Sequence, residues 1–417
     1  MSKIHIRNIF LNNHTTDILI EGNRISLISD NIQARDAQIL DGTGMAVIPG
    51  FANMHTHAAM TMMRGSQEDA RLHKWLGEIW KMETRLDDEL VYWGTKLACV
   101  EMIKTGTTFF NDQYFYVASA VKAASEMGLR GAHSYVMLDL GDKEKMLRQR
   151  ELCQKAYEES MNWNPKNIFE VGVHSPYTVS QENILWACSF ARDHNLKVHI
   201  HVAETFQELQ DSLNEHGCTP VQYLKDLGVL SKDIVAAHCI WLDNNDIDTL
   251  GLNGISVVHN INSNLKLSSG YKFKFQELED ARANVCLGTD GVASSNNLDM
   301  METMKTTALV QKAWRKDPTA IPLAQLISSA TFNGYKAYGL DGGRICEGAL
   351  ADLCLIDIDN YSFTPNINFE ANLVYSAHSD CIRTVICDGK IVMKDRYIEG
   401  EAEILSQVRK LYRKIVG

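Results

Sequence analysis

None of the ten cysteines in this 417-residue chain forms a Cys-x-x-Cys pair, and their scatter builds no small-domain disulfide framework. In a chain of this size they are read as reduced and mostly buried. No run of eighteen apolar residues occurs, so no bilayer-spanning helix is expected. The opening MSKIHIRNIF lacks the apolar stretch and cleavage site of a signal peptide, and a cytoplasmic setting is expected. No Lys/Arg-rich block is present, and a net charge of −11 repels nucleic acid and anionic membranes. Neither is expected as a partner. The absence of a fixed-period repeat or a low-complexity tract removes solenoids.

What is present is ordinary for a globular protein: 45% hydrophobic and 22% charged residues in a chain long enough for a large core. Residues 1–50 carry short β-type runs, Lys3–Leu11, Asp17–Glu21, Arg24–Ser29 and Met45–Pro49, separated by Asn-Asn, Gly-Asn and Asp-Gly-Thr-Gly turn signals. Similar runs return at Ala351–Asp357, Cys381–Cys387 and Lys390–Met393, with Asp388-Gly389 as the hairpin turn. A small discontinuous β-sandwich domain from residues 1–50 and 345–417 is therefore expected. Residues 51–344 instead alternate strand-like runs with amphipathic segments of helical spacing. The runs are Met54–His57, Thr107–Asp112, Gly131–Met137, Phe169–His174, Val198–Val202, Val235–His238, Ser256–His259 and Val285–Asp290. Eight strand–helix units predict an α/β chain with a (β/α)8 TIM-type barrel. Among the helices, one is expected after Ser180 as N-cap, with Ile184, Leu185, Cys188 and Ala191 on one face. Another carries Leu323, Leu326, Ile327, Ala330 and Tyr338 and closes at Gly339.

Ionisable residues fall at the ends of these strands, where such barrels keep their chemistry: His55, His57, Asp112, His174, His201, His238, His259 and Asp290. They are expected to face one pocket. In Asn53-Met-His55-Thr-His57 the two imidazoles stand two apart and point to one strand face, which suits a shared metal ion. Lys197-Val-His199-Ile-His201-Val-Ala-Glu204 repeats the spacing. His201 is preferred over His199 as a third imidazole because Glu204 follows it by three. With Asp290, the set suits one Zn²⁺, and Fe²⁺ or Mn²⁺ are compatible. Glu204 is the candidate to move protons, and His238 could hydrogen-bond an attacking hydroxide. The plainer alternatives are a helix-capping carboxylate for Glu204 and a buried, carbonyl-bonded imidazole for His238.

Five stretches together resemble the amidohydrolase superfamily. They are Pro49-Gly-Phe-Ala-Asn-Met-His-Thr-His57-Ala, His199-Ile-His-Val-Ala-Glu204-Thr, Ala237-His238-Cys, His259-Asn with Ser263-Asn-Leu-Lys-Leu267, and Leu287-Gly-Thr-Asp290-Gly with Ser294-Ser-Asn-Asn-Leu298. Within it the chain is similar to the 5-methylthioadenosine/S-adenosylhomocysteine deaminases and their chlorohydrolase relatives, and Gly348-Ala-Leu-Ala-Asp352-Leu extends the likeness into the terminal sheet. The resemblance implies that His55, His57, His201 and Asp290 bind one zinc, that Glu204 shuttles protons and that His238 assists. Members with two metals carry a lysine at the end of the fourth strand, where this chain has His174. The resemblance also implies a cover over the ligand from Trp75, ribose contacts from Glu83, and substrate contacts from His174 and Ser294.

Two positions depart from the pattern. Tyr135 stands close to where homocysteine-accepting relatives carry an arginine, and tyrosine cannot supply a guanidinium's charge. A second arginine could be Arg148 or Arg150. The proline usual after His-Asn is missing in His259-Asn-Ile. The expected activity is therefore metal-dependent hydrolytic deamination of adenine-type nucleosides. The alternative is a deaminase or dehalogenase of guanine, a pterin or an s-triazine, and a zinc site of the cytidine-deaminase type is excluded because His-x-Glu with Cys-x-x-Cys is absent. The expected partner is a small purine nucleoside. A homo-oligomer is compatible with the sequence, which sets no oligomeric state.

Overall fold

The computed structural model describes residues 2–70 and 72–416. Its centre is a parallel sheet of eight strands in chain order: β1 (Phe51–Thr56), β2 (Thr107–Tyr114), β3 (Arg130–Met137), β4 (Asn167–Val173), β5 (Val198–Val202), β6 (Ile234–His238), β7 (Ser256–His259) and β8 (Asn284–Leu287). Both faces of these strands are covered, which is why they read as near-continuous apolar runs. The ring closes where the Asp290 N–H donates to the His55 carbonyl at 2.9 Å. Gly288 permits that approach, since a Cβ there would lie 2.9 Å from the His55 nitrogen.

The terminal strands form a second, mixed sheet. Met45–Pro49 pairs antiparallel with Leu353–Asp357 and so joins the two ends of the chain. Ile18 and Ile20 share one buried cluster with Leu353, Leu355 and Ile386, distinct from the cluster between barrel and helices. Asp388 and Gly389 both take left-handed backbone angles, as a two-residue hairpin turn requires. This sheet docks under the barrel through Arg130, at the start of β3. Its Nε donates to Asp352 Oδ2 at 2.8 Å and its Nη2 to Asp388 Oδ1 at 3.1 Å.

Several local details differ from expectation. A strand at Gln38–Asp41 pairs with Lys3–Leu11, although its sequence carries no alternating pattern. Ser180 does stand at the N-cap of helix Gln181–Asp193, but its hydroxyl donates to Asp139 rather than capping, and Leu185 is exposed. The segment from Leu323 splits into Leu323–Ala330 and Phe332–Ala337 at Thr331, which sits at φ −135°, ψ −92°. A C-terminal helix, Glu401–Leu411, returns to the barrel side, where Lys104 pairs with Glu401 at 2.9 Å. Among the described residues no helix is long and apolar enough to cross a membrane.

Candidate active site

The period of β1 brings His55 and His57 to the upper mouth of the barrel, and β5 and the turn after β8 bring His201 and Asp290 opposite. Asp290 Oδ1 lies 3.4 Å from His55 Nε2 and 3.3 Å from His57 Nε2, and His57 and His201 present their Nε2 atoms to each other at 3.4 Å. Hydrogen bonds fix which nitrogen of each ring faces the centre. His57 Nδ1 donates to the Gln113 carbonyl at 2.7 Å and His201 Nδ1 to the His174 carbonyl at 2.6 Å. Both therefore turn an Nε2 lone pair inward. His55 is wholly buried, and among the described residues its Nε2 has no hydrogen-bond partner. The Asp290 carboxylate is likewise buried, with Oδ1 facing both rings. Ser263 Oγ donates to its other oxygen at 2.6 Å.

This donor set fits one divalent cation. Ligand atoms about 2.0–2.1 Å from a tetrahedral centre stand roughly 3.3–3.4 Å apart, the spacing seen here. The orphaned His55 Nε2 is the atom such an ion would satisfy. His238 also brings a nitrogen close to His55 and His201. Its ring is held differently: Asn264 Nδ2 donates to His238 Nδ1 at 2.9 Å, which leaves the proton on Nε2. His238 thus offers a donor where the others offer lone pairs.

Glu204 stands beside it, with Oε2 3.8 Å from His238 Nε2 and Oε1 accepting from Ser269 Oγ at 3.3 Å. Burial pushes its carboxyl up to about 8, and the Asp290 charge adds to the shift. The capping work belongs to its neighbours. Glu208 accepts from the N–H groups of Ala203 and Glu204, each at 2.8 Å, and Thr205 is the N-cap of helix Phe206–His216. Relieved of that task, Glu204 faces the pocket.

A helix α1 (Leu72–Glu83) covers the mouth. Leu72, Trp75, Leu76, Ile79, Trp80 and Glu83 line the pocket at helical spacing, so Trp75 and Glu83 sit on one inward face. Burial raises the Glu83 carboxyl to about 7, against the lowering effect of Tyr114 and His57. His174 lines the same pocket, with Nδ1 2.8 Å from Thr178 Oγ1.

Other expected residues are placed elsewhere. Arg148 is exposed and lines an adjoining groove with Tyr135, Leu138 and Lys145; that groove shares Trp80, Glu83 and Phe115 with the pocket. Arg150 turns away, donating to Asn183 and to the Glu182 carbonyl. The Ser294 hydroxyl donates to the Gly291 carbonyl at 2.8 Å and does not line the pocket. Of the strand-end residues expected in the shared pocket, His55 is absent from its lining although it joins the metal-binding set, and two others stand apart from it. Asp112 holds the turn after His57, accepting from the Ala58 N–H at 2.7 Å, and His259 stacks on Phe273 with ring centroids 4.0 Å apart. Both are buried.

The model of the amidohydrolase family matches residues 46–392. The chain belongs to the amidohydrolase family. This amidohydrolase is 43% identical over 393 residues to the 5′-deoxyadenosine deaminase of Methanothermobacter thermautotrophicus, covering 94% of this chain and 91% of the relative. It is 40% identical to 5-methylthioadenosine/S-adenosylhomocysteine deaminase 1 of Archaeoglobus fulgidus, over 96% and 95% of the two chains. Its fold superposes on the zinc-bound crystal structure of an adenosine deaminase from Xanthomonas campestris with a TM-score of 0.92 and 29% identity, covering 99% and 98% of the chains. It is therefore a hydrolytic enzyme, and the expected superfamily and barrel hold.

Sequence reasoning missed the residues that set ring orientation. Gln113 acts through its main-chain carbonyl, which no side-chain pattern reveals. Asn264 orients His238 and Ser263 binds Asp290, and their spacing after β7 is the signal that marks them.

Proposed function

We propose that this amidohydrolase is a zinc-dependent deaminase of adenine-type nucleosides, acting on adenosine, 5′-deoxyadenosine and 5′-methylthioadenosine, with S-adenosylhomocysteine a poorer substrate. The observation that carries the reading is that one pocket joins the metal-binding set, Glu204 and His238 to a half-buried carboxylate, Glu83, on the covering helix. The names of the relatives at 43% and 40% identity support the substrate class. Three imidazoles and a carboxylate suit zinc, and the zinc-bound neighbour supports that choice. One ion is expected, because His174 stands where a second would need a bridging lysine.

His55, His57, His201 and Asp290 would hold the zinc ion, which would supply Lewis acidity that brings the pKa of water toward neutrality. Glu204 takes one proton of the attacking water and passes it to the ring nitrogen, then takes the remaining proton from the new C6 hydroxyl and gives it to the amine, so that the C–N bond breaks as the C6 carbonyl forms. A carboxyl poised near neutral pH can make both transfers. His238 directs its Nε2–H at the attacking oxygen and aligns it with C6, and Asp290 accepts from the other side. Trp75 covers the base and Glu83 accepts from the ribose hydroxyls, while His174 borders the ring. The products are ammonia and the 6-oxo purine nucleoside.

The test follows the adenine absorbance band with zinc-loaded protein over adenosine analogues, free adenine, guanine and a chloro-s-triazine. Nucleosides of adenine should be turned over, and Glu83→Ala should depress them by about ten- to a hundredfold. Turnover of guanine or a triazine without any adenine nucleoside would overturn the assignment. Metal analysis should find about one zinc per chain, lost in His57→Ala; two tightly held ions, or none in active protein, would overturn the single-site reading.

A further inference from the structure

Below the metal-binding set, the barrel interior holds a carboxylate that the proposed chemistry does not use. Glu170, on β4, is fully buried, and among the described residues no lysine or arginine is paired with it. Its oxygens are taken by two groups: Tyr338 donates its hydroxyl to Oε2, and His199 Nδ1 lies 3.1 Å from Oε1. Asn111 closes the circuit, its Nδ2 donating to the Tyr338 oxygen at 2.5 Å and its Oδ1 standing 2.7 Å from His199 Nδ1. His199 Nε2 then meets His55 Nδ1 at 2.8 Å.

These contacts leave one arrangement of protons. His199 Nδ1 faces two acceptors, Asn111 Oδ1 and a carboxylate oxygen, so it must carry hydrogen. In the neutral ring Nε2 is then a lone pair, and the group facing it among the described residues is His55 Nδ1, which must donate. His55 is thereby fixed with its Nε2 lone pair toward Asp290, as ligation demands. Tyr338 contributes by donating to Glu170 and accepting from Asn111, so neither oxygen of Glu170 can turn away.

We propose that Glu170 is a positioning residue for the metal, acting through His199 on His55. The proposal rests on the metal reading above. A buried carboxylate without a cation is costly to fold. A divalent cation held by His55 would supply the compensating charge through the two rings, and the polarised chain of hydrogen bonds would make His55 a stronger ligand. Glu170 therefore destabilises the empty protein and tightens the filled one. A carboxylate serving only as an internal hydrogen-bond acceptor would leave the affinity for zinc unchanged.

The two roles separate in a measurement of zinc affinity, by competition with a chromophoric chelator, alongside thermal unfolding of the metal-free and zinc-loaded full-length protein. In Glu170→Gln, zinc affinity should fall by about ten- to a hundredfold. The metal-free protein should melt at the same temperature or higher, so the stabilisation conferred by zinc narrows. His199→Leu should show a comparable loss of affinity, and the double variant should be no worse than His199→Leu alone, because Glu170 acts only through that ring. His199→Gln, whose amide oxygen can still accept from His55, should recover part of the affinity. Zinc affinity in Glu170→Gln within twofold of the unsubstituted protein would overturn the proposal, as would additive losses in the double variant. Should Glu170→Gln not fold, the gap between His199→Leu and His199→Gln decides, and equal affinities in those two would overturn it. A zinc-free but active unsubstituted protein would overturn the metal reading itself, an outcome distinct from these.

Discussion

The two ends of the barrel each bury a cluster of charged and hydroxyl groups, and the clusters are built on opposite plans. At the lower end Arg130, Asp352, Tyr335 and Thr108 satisfy one another: Tyr335 donates to Asp352 Oδ2 at 2.8 Å, and Thr108 Oγ1 lies 3.0 Å from the Tyr335 oxygen. None of these four side chains is left with a buried atom unpartnered. At the upper end His55 Nε2 has no partner among the described residues, and Ala203, His238, Cys239 and Asp290 all sit at left-handed backbone angles. Such angles cost energy for residues with a side chain and are retained where surrounding structure enforces them. The lower cluster thus holds the fold together, whereas the upper one is shaped around groups the chain itself does not contain. In barrels of this type that division between stability and chemistry follows the two ends of the strands.

The sharpest way to test the comparison is to remove one carboxylate from each end. At the upper end, Glu204→Gln should lower kcat by at least about 10²-fold while zinc is retained. The variant should melt no lower than the unsubstituted protein, because it discharges a carboxyl that burial already disfavours. Kinetics, metal analysis and a thermal melt on one preparation check all three. Nearly full activity would show that Glu204 does not carry the proton.

At the lower end, Asp352→Ala leaves Arg130 buried with its main partner gone. Breaking a buried pair from one side costs on the order of 3–5 kcal/mol, so the denaturant midpoint should drop sharply. The kcat of the fraction that remains folded should be unchanged. A large fall in kcat without a fall in stability would mean that the two ends are coupled.

How much of this could be read beforehand depends on whether a residue's role was local. The His-x-His pairs were legible because period-two geometry alone aims both rings at one face. The strands were legible because eight buried runs alternate with helical spacing. Glu204 and Glu208 lie four apart, and only the folded turn shows that Glu208 takes the backbone N–H groups. Glu170 could have been noticed, since Glu170, Gly172 and His174 fall on one face of β4. Its meaning needed Tyr338, 168 positions away in the chain. Asp352 is similar: its motif was visible, but Arg130 as its partner was not. The C-terminal helix escaped notice because it is held by contacts with distant segments, as at Glu401–Lys104.

The smallest expected effect concerns the region where the upper pocket meets solvent. The groove beyond Glu83 is where a 5′ substituent on a ribose held by that residue would emerge. Its wall near Leu138 is Tyr135, which carries no charge at neutral pH, since burial pushes its hydroxyl up to about 12. Arg148 and Lys145 also line the groove, yet both are exposed. An ion pair formed by an exposed cation is worth about 0–1 kcal/mol, too little to repay the ordering of a long, charged substituent. A hydroxyl, hydrogen or thiomethyl group needs no such partner and can rest against Phe115 and Leu138. Adenosine, 5′-deoxyadenosine and 5′-methylthioadenosine should therefore show kcat/KM values roughly tenfold above that of S-adenosylhomocysteine, the lower part of the range for one missing charged contact. Arg148→Ala should change the S-adenosylhomocysteine value by less than about fivefold and the others not at all. Equal efficiency with S-adenosylhomocysteine, lost in Arg148→Ala, would show instead that the groove closes over its ligand and buries that arginine.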